Sequence, residues 1–232
     1  MAANKDLEQQ YGRAMEEHGF LPDPENQRYG SMGLCWRHTS QQGGGFFWTY
    51  GQQDLYTIKI HDFFFHEDQL LEFHWPESLS VTWYESISGE EFSPCRRLVP
   101  GCVKSFIGGR EPYRALIHRQ IPIVSIGVEI TPAYYRDYLR RQFPQEYQSL
   151  LESFQTLDQT EHFPEMVQLL KQVRDYRGEG LPARLFYDGK VAEAVALVAE
   201  RHLKRKNRRS VSAEDMVRLA DVAAFITALE VT

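Results

Sequence analysis

The chain has 232 residues, 42% of them hydrophobic, 25% charged and 13% aromatic, with a formal net charge of −6. These values belong to a folded chain long enough for a full core, and they count against a protein that coats DNA or an anionic membrane through its own charge. No stretch reaches transmembrane length and MAANKDLEQQ is too polar for a signal peptide, so a cytoplasmic protein without membrane contact is expected.

In chain order, Leu7, Tyr11, Ala14 and His18 recur at helical spacing and predict a helix over Lys5 to His18, ended by Gly19. LPDPENQRYG comes next as a turn-rich connector. From Tyr29 to Ile130 short apolar runs alternate with Gly, Pro, Asp and Ser, the pattern of an antiparallel barrel or sandwich. Eight strands are predicted: Met32–Arg37, Phe46–Tyr50, Leu55–His61, Leu70–His74, Ser80–Ser88, Leu98–Lys104, Tyr113–His118 and Ile121–Ile130. Cys35, Cys95 and Cys102 are odd in number and lack any C-x-x-C pair, which favours reduced thiols over a disulfide framework.

The strand region is rich in aromatics, and an eight-stranded barrel has room for one small ligand. The bulky or charged groups Trp36, Trp48, Tyr56, Trp83 and Glu85 are the candidate ligand-binding residues; ordinary core packing is the competing account of each. Glu85 shares a strand face with Val81, Trp83 and Ile87, so it anchors a ligand cation or hydroxyl, meets an Arg or Lys, or sits at the rim. His61, His66, Glu67 and His74 cluster in sequence and offer imidazole and carboxylate ligands of the kind that hold zinc, iron or manganese. No H-x-H pair occurs, however, so no two of these histidines project inward two residues apart on one strand. There is no G-x-S-x-G, P-loop or G-x-G-x-x-G, and no catalytic residue, metal or cofactor is assigned.

At IPIVSIGVEITPAYYRDYLRRQF the hydrophobic period changes from two to about three and a half. Thr131 and Pro132 supply an N-cap hydroxyl and a first-turn proline, and a junction helix over Tyr134–Phe143 is predicted to touch both the strands before it and the helices after it. Glu146–Phe154 and a segment opened by Phe163-Pro164 extend the helical region, the latter with Met166, Val167, Leu169, Leu170 and Val173 on one side. Arg184–Lys204 is predicted to be the longest helix. Its Val191, Ala194, Val195, Val198 and Ala199 suit either dimerisation or packing within one chain. The basic run KRKNRR reads as a solvated linker, or as a phosphate contact, and Ser212 to Asp215 as the capping-box start of a new helix.

DLYTIKIHDFFFHED, SVTWYESISGEE, IPIVSIGVEITPAYYRDYL, LFYDGKVAEAVALV and VSAEDMVRLADVAAFI together resemble the N-terminal, effector-sensing part of AraC-family transcriptional regulators, in a bacterial subgroup with a long helical segment after its barrel. The resemblance implies an α+β protein: a cupin-like antiparallel β-barrel of the double-stranded β-helix type, followed by an α-helical segment. It implies an N-terminal helix and connector (1–28), an effector-binding barrel (29–131), a dimerising and signal-transmitting helical segment (132–206), and a linker with the first helix of a truncated helix-turn-helix domain (207–232). A small-molecule effector, a homodimer and DNA binding only through the missing helix-turn-helix are the implied partners, with Tyr134, Tyr135 and Tyr138 as signal-transmitting residues. The competing expectations are a cupin-type metal-dependent enzyme using His61, His66 and His74, and a purely structural dimerisation module. An aromatic lining is compatible with sugars, siderophore-like aromatics and lipids alike.

Overall fold

The structure, a computed structural model, describes residues 11–13, 15–39, 41–52, 54–93, 95–145, 148–157 and 162–229, with backbone alone at 148, 149 and 208–229. The chain is α+β. A short helix α1 (residues 11–13 and 15–17) leads into strands β1 (Phe20–Pro22), β2 (Leu34–His38), β3 (Gly43–Gln52), β4 (Tyr56–Phe65), β5 (Gln69–Phe73), β6 (Leu79–Ser86), β7 (Gly89–Phe92), β8 (Cys95–Leu98), β9 (Val103–Ile107), β10 (Tyr113–Ile117) and β11 (Ile123–Ile130). A π-helical turn (Ala133–Tyr138) and the helices α2 (Leu139–Gln142), α3 (Gln148–Gln155), α4 (Pro164–Asp175) and α5 (Gly180–Leu229) complete the described chain.

The strands form two antiparallel sheets, one ordered β1-β2-β3-β4-β11-β6-β9 and one ordered β5-β10-β7-β8. The expected eight-stranded barrel is thus replaced, among the described residues, by eleven strands in two separately hydrogen-bonded sheets. The extra strands escape an apolar pattern search for a physical reason. β7 and β8 set charged residues opposite one another, Glu90 across from Arg97 and Glu91 across from Arg96, and lack the alternating apolar residues such a search relies on. The predicted strand Leu98–Lys104 is broken at Gly101, whose φ of +82° suits a turn and not a ladder.

Two apolar layers result. Between the sheets lie Phe20, Trp36, Phe47, Phe63, Phe65, Ile117 and Ile123, with Tyr11 and Met15 of α1 closing one end. On the other face of the larger sheet, Trp48, Tyr50, Tyr56, Ile58, Ile60, Val81 and Trp83 are covered by the helices. Helix α4 packs on β11 and β6, α3 on β9 and β6, and both pack on α5. Met166, Leu169, Leu170 and Val173 of α4 and Ala183, Tyr187, Val191, Ala194, Val195 and Val198 of α5 are buried, each set recurring at three and four residues. The small residues of α5 that suited either dimerisation or internal packing therefore serve close packing within this chain.

Thr131 caps the junction: its Oγ1 accepts from the Tyr134 N–H at 3.4 Å and donates to the Leu55 carbonyl at 3.0 Å. Beyond it the chain forms a π turn and a short α-helix, not the single α-helix expected over Tyr134–Phe143. The backbone of α5 is helical without interruption through Lys204–Arg209 and Ser212, where a linker and a fresh helix start were expected. No Gly or Pro lies between Lys190 and Leu229, so the Ser212 capping pattern has no breaker before it and is absorbed into the helix. Among the described residues no helix is long and apolar enough to cross a membrane. Cys35, Cys95 and Cys102 are free thiols, the first and last buried.

Candidate functional site

The alternation of side chains along β4 builds the site. Lys59, His61, Phe63 and Phe65 point between the sheets and line a cavity of about 170 Å³, while Tyr56, Ile58 and Ile60 point to the helices. The walls are aromatic: Phe20 and Phe47 from the larger sheet, Phe73 at the end of β5, Trp75 just after it, and Tyr113 from β10. Met15 and His18 of the N-terminal segment complete one end. Gly127 of β11 keeps the floor open to β6, because a Cβ at that position would lie 2.4 Å from Thr82 Oγ1.

Into this apolar space the strands carry charged groups, each opposed by a partner. Lys59 Nζ donates to Glu129 Oε2 at 2.8 Å, both side chains about 10% exposed, and the ammonium lies 4.3 Å from the centre of the Trp75 ring. Burial penalises the Lys59 ammonium, but Glu129 and Tyr11 outweigh it and the pKa is raised. Lys104 of β9 pairs with Glu91 of β7 and ties the two sheets together. Burial pushes the Lys104 ammonium down, to about 7, while the Glu91 carboxylate beside it acts in the opposite direction. His61 is held neutral: burial and the neighbouring Lys59 lower its pKa to about 3, its Nδ1 is 2.7 Å from Ser125 Oγ, and its ring stacks on Phe47 with centroids 4.7 Å apart.

Two further groups complete the lining. The hydroxyls of Tyr84 on β6 and Tyr113 on β10 have no hydrogen-bond partner among the described residues. Burial raises both phenol pKa values, so both stay protonated.

The sequence-predicted ligand residues are placed elsewhere by the strand register. Trp48, Tyr56 and Trp83 stand on the helix-covered face, where Trp48 meets Tyr187, Tyr56 donates to Asp188, and Trp83 lies under Lys171 and Arg174. Glu85 is ion-paired with Arg174 at the surface, the Arg alternative foreseen for it. Trp36 faces between the sheets but is fully buried, its indole N–H donating to Thr49 Oγ1 at 3.3 Å, and it does not reach the cavity wall. Ile87, expected on the face of Val81 and Trp83, lines the cavity because the β6–β11 register shifts between Val124 and Ser125. Of the histidines, His61 lies inside while His66 and His74 are exposed, as is Glu67. No group of three His, Cys, Asp or Glu able to hold a metal ion occurs among the described residues. Tyr134 and Tyr135 are buried, the latter donating to Glu77 at 2.8 Å; Tyr138 is 45% exposed.

The groups that sequence reasoning missed had the signal it used for Glu85, a charge inside an apolar run. TIKIHDFFF, CVKSF and GVEI carry such charges at Lys59, Lys104 and Glu129, the first also at Asp62, which pairs with Arg28 outside the cavity.

No family model matches the chain, and no curated protein matches it. Solved structures similar to part of it include KdgF from a Halomonas species, at 10% identity over 41% of this chain and 84% of that one, with a TM-score of 0.30. A variant of PAC13 from Streptomyces, determined with uridine, is similar at 8% identity over 50% of this chain and 77% of that one, with a TM-score of 0.27. A sugar phosphate isomerase of the cupin superfamily from Silicibacter pomeroyi is similar at 13% identity over 47% of this chain and 66% of that one, with a TM-score of 0.25.

Proposed function

We propose that the chain is a ligand-sensing module, binding a small organic effector between its sheets and passing the event to its helices. This is the role implied by its resemblance to the cupin-like, effector-sensing part of AraC-family regulators. The observation that carries it is the division of β4: alternate residues of one strand line the cavity and pack on the helices. A displacement of Lys59, His61 or Phe63 by a ligand therefore moves Tyr56, Ile58 and Ile60, and with them Tyr187 and Asp188 of α5. The route through the junction runs in parallel, since Tyr134 and Tyr135 sit in the same core. Ligand binding then acts as a population shift between two settings of sheet against helix.

A homodimer belongs to this reading. With its buried face turned to the sheet, α5 leaves Leu181, Leu185, Gly189, Ala192, Ala196 and Leu203 exposed, a seam recurring at three, four and seven residues. Specific DNA contact is assigned to a helix-turn-helix domain outside the described residues.

Native mass spectrometry of the purified chain tests the reading. A dimer carrying an organic adduct, or a bare dimer broken by Leu185→Glu, is the expected result. A stoichiometric metal and a mass set by one chain would overturn it in favour of a cupin-type enzyme.

A further inference from the structure

The charges of the cavity close on themselves. Lys59 is held by Glu129 at 2.8 Å and Lys104 by Glu91. Of the two histidines of the lining, His18 sits at one end and His61, deep inside, carries no charge at neutral pH. Each ammonium of the lining is thus set against one carboxylate, so the geometry leaves neither of them without an opposite partner. An ionised ligand entering this space would lose its hydration without gaining an uncompensated counter-charge, and could be paired only by breaking a buried pair already made.

Two neutral groups of the lining also stand without a partner. Tyr84 and Tyr113 come from opposite sheets, both line the cavity, and neither hydroxyl has a partner among the described residues. A ligand that displaces water from these two hydroxyls must replace the hydrogen bonds it removes, so a group able to accept from one phenol and donate to the other belongs between them. Phe106 holds the Tyr113 ring edge-on at 5.5 Å, which fixes where its hydroxyl can point. The space of about 170 Å³ is close to the ~150 Å³ of an apolar cavity that takes one benzene.

We infer that the cavity takes an uncharged, single-ring ligand with one hydroxyl or carbonyl group, its ring against the aromatic walls and its polar group between Tyr84 and Tyr113. This rests on the ligand-sensing reading and narrows it. A sugar, which needs a partner for every hydroxyl, and a long-chain lipid, which exceeds the volume, are both set aside.

The test is titration of the full chain with benzene, phenol, benzoate and benzylammonium at pH 7, read by calorimetry or ligand-observed NMR. Phenol is expected to bind at least about tenfold more tightly than either ion, a difference of about 1.4 kcal/mol. Tyr84→Phe and Tyr113→Phe, which keep the ring and remove the hydroxyl, should bring phenol towards benzene while leaving benzene unchanged. Benzoate or benzylammonium binding as tightly as phenol would overturn the inference and leave the cavity as a ligand site. Unchanged phenol affinity in the double Tyr variant would overturn the placing of the polar group. Failure of all four probes, benzene included, would overturn both the inference and the cavity's role in sensing.

Discussion

Tyr56 on β4 donates its hydroxyl to Asp188 Oδ1 of α5 at 2.6 Å, a side-chain hydrogen bond that joins the strand lining the cavity to the longest helix. Burial, then the hydrogen bond to Asp188, drives the Tyr56 pKa far above its ordinary value, so the hydroxyl remains a donor at every working pH. Tyr56→Phe keeps the ring and strands the Asp188 carboxylate. A loss of about 1–3 kcal/mol is expected, read as a Tm lower by several degrees. The same variant should bind a cavity ligand normally yet show a smaller ligand-induced change in hydrogen exchange along residues 183–198. Equal changes in both proteins would rule this contact out as the coupling.

Breaking the Lys59–Glu129 pair from one side should be severe. Glu129→Gln leaves a buried ammonium without its carboxylate, at an expected cost of about 3–5 kcal/mol in urea denaturation. The double change Lys59→Met with Glu129→Leu should recover most of it. The raised pKa of Lys59 means that the folded state holds this proton more tightly than the unfolded chain does. The stability it contributes is therefore complete below pH 10 and is lost as pH climbs past the folded value.

His61 gives the opposite dependence. Its folded pKa of about 3 lies below the ordinary value of 6.5, so between those limits the unfolded chain binds the extra proton. Stability should fall as pH drops from 7 towards 3, and His61→Gln should flatten that part of the profile. Urea midpoints at pH 4 and pH 7 for the two proteins decide it; parallel slopes would mean His61 is not the titrating group.

Gly127 is expected to tolerate no side chain while Thr82 is present. The added methyl of Gly127→Ala would meet Thr82 Oγ1 at 2.4 Å, and forced repacking should cost about 1–3 kcal/mol. Combining it with Thr82→Ala should restore stability. Additive losses in the double variant would show that the strain lies in the backbone.

Glu85→Ala, by contrast, should change stability by less than about 1 kcal/mol and leave ligand binding untouched, because its ion pair with Arg174 is partly solvated. A lost ligand would return Glu85 to the site.

Helix spacing made the core faces of α4 and α5 legible down to individual residues, since Met166, Leu169, Leu170, Val173, Val191, Ala194 and Val198 lie where a period near 3.6 puts them. The positions of most strands were legible too, but not their faces. In a strand covered on both sides, bulk is no guide to direction. Trp48 and Trp83 fill the helix layer as well as Phe47 and Tyr84 fill the other side, and only pairing fixes which is which. Charge inside an apolar strand was the better signal. Applied evenly it selects Lys59, Lys104 and Glu129 together with Asp62, which pairs with Arg28 outside the cavity, whereas applied to Glu85 alone it finds a surface ion pair.

The unbroken backbone of α5 gives the contact at Asp188 a mechanical reach. The helix is tied to the rest of the fold as far as Arg205, through Arg201 on the His162 carbonyl, His202 beside Thr156 and Arg205 on the Thr156 carbonyl, and its backbone continues for about 24 residues beyond, on the order of 36 Å. Pivoted at its seat, such a rod magnifies what happens there: a tilt of about 5°, a few tenths of an ångström across one turn, sweeps the far end through about 3 Å. On the reading proposed above, small side-chain adjustments around a guest in the cavity would be converted into a displacement of about 3 Å at the far end of the helix.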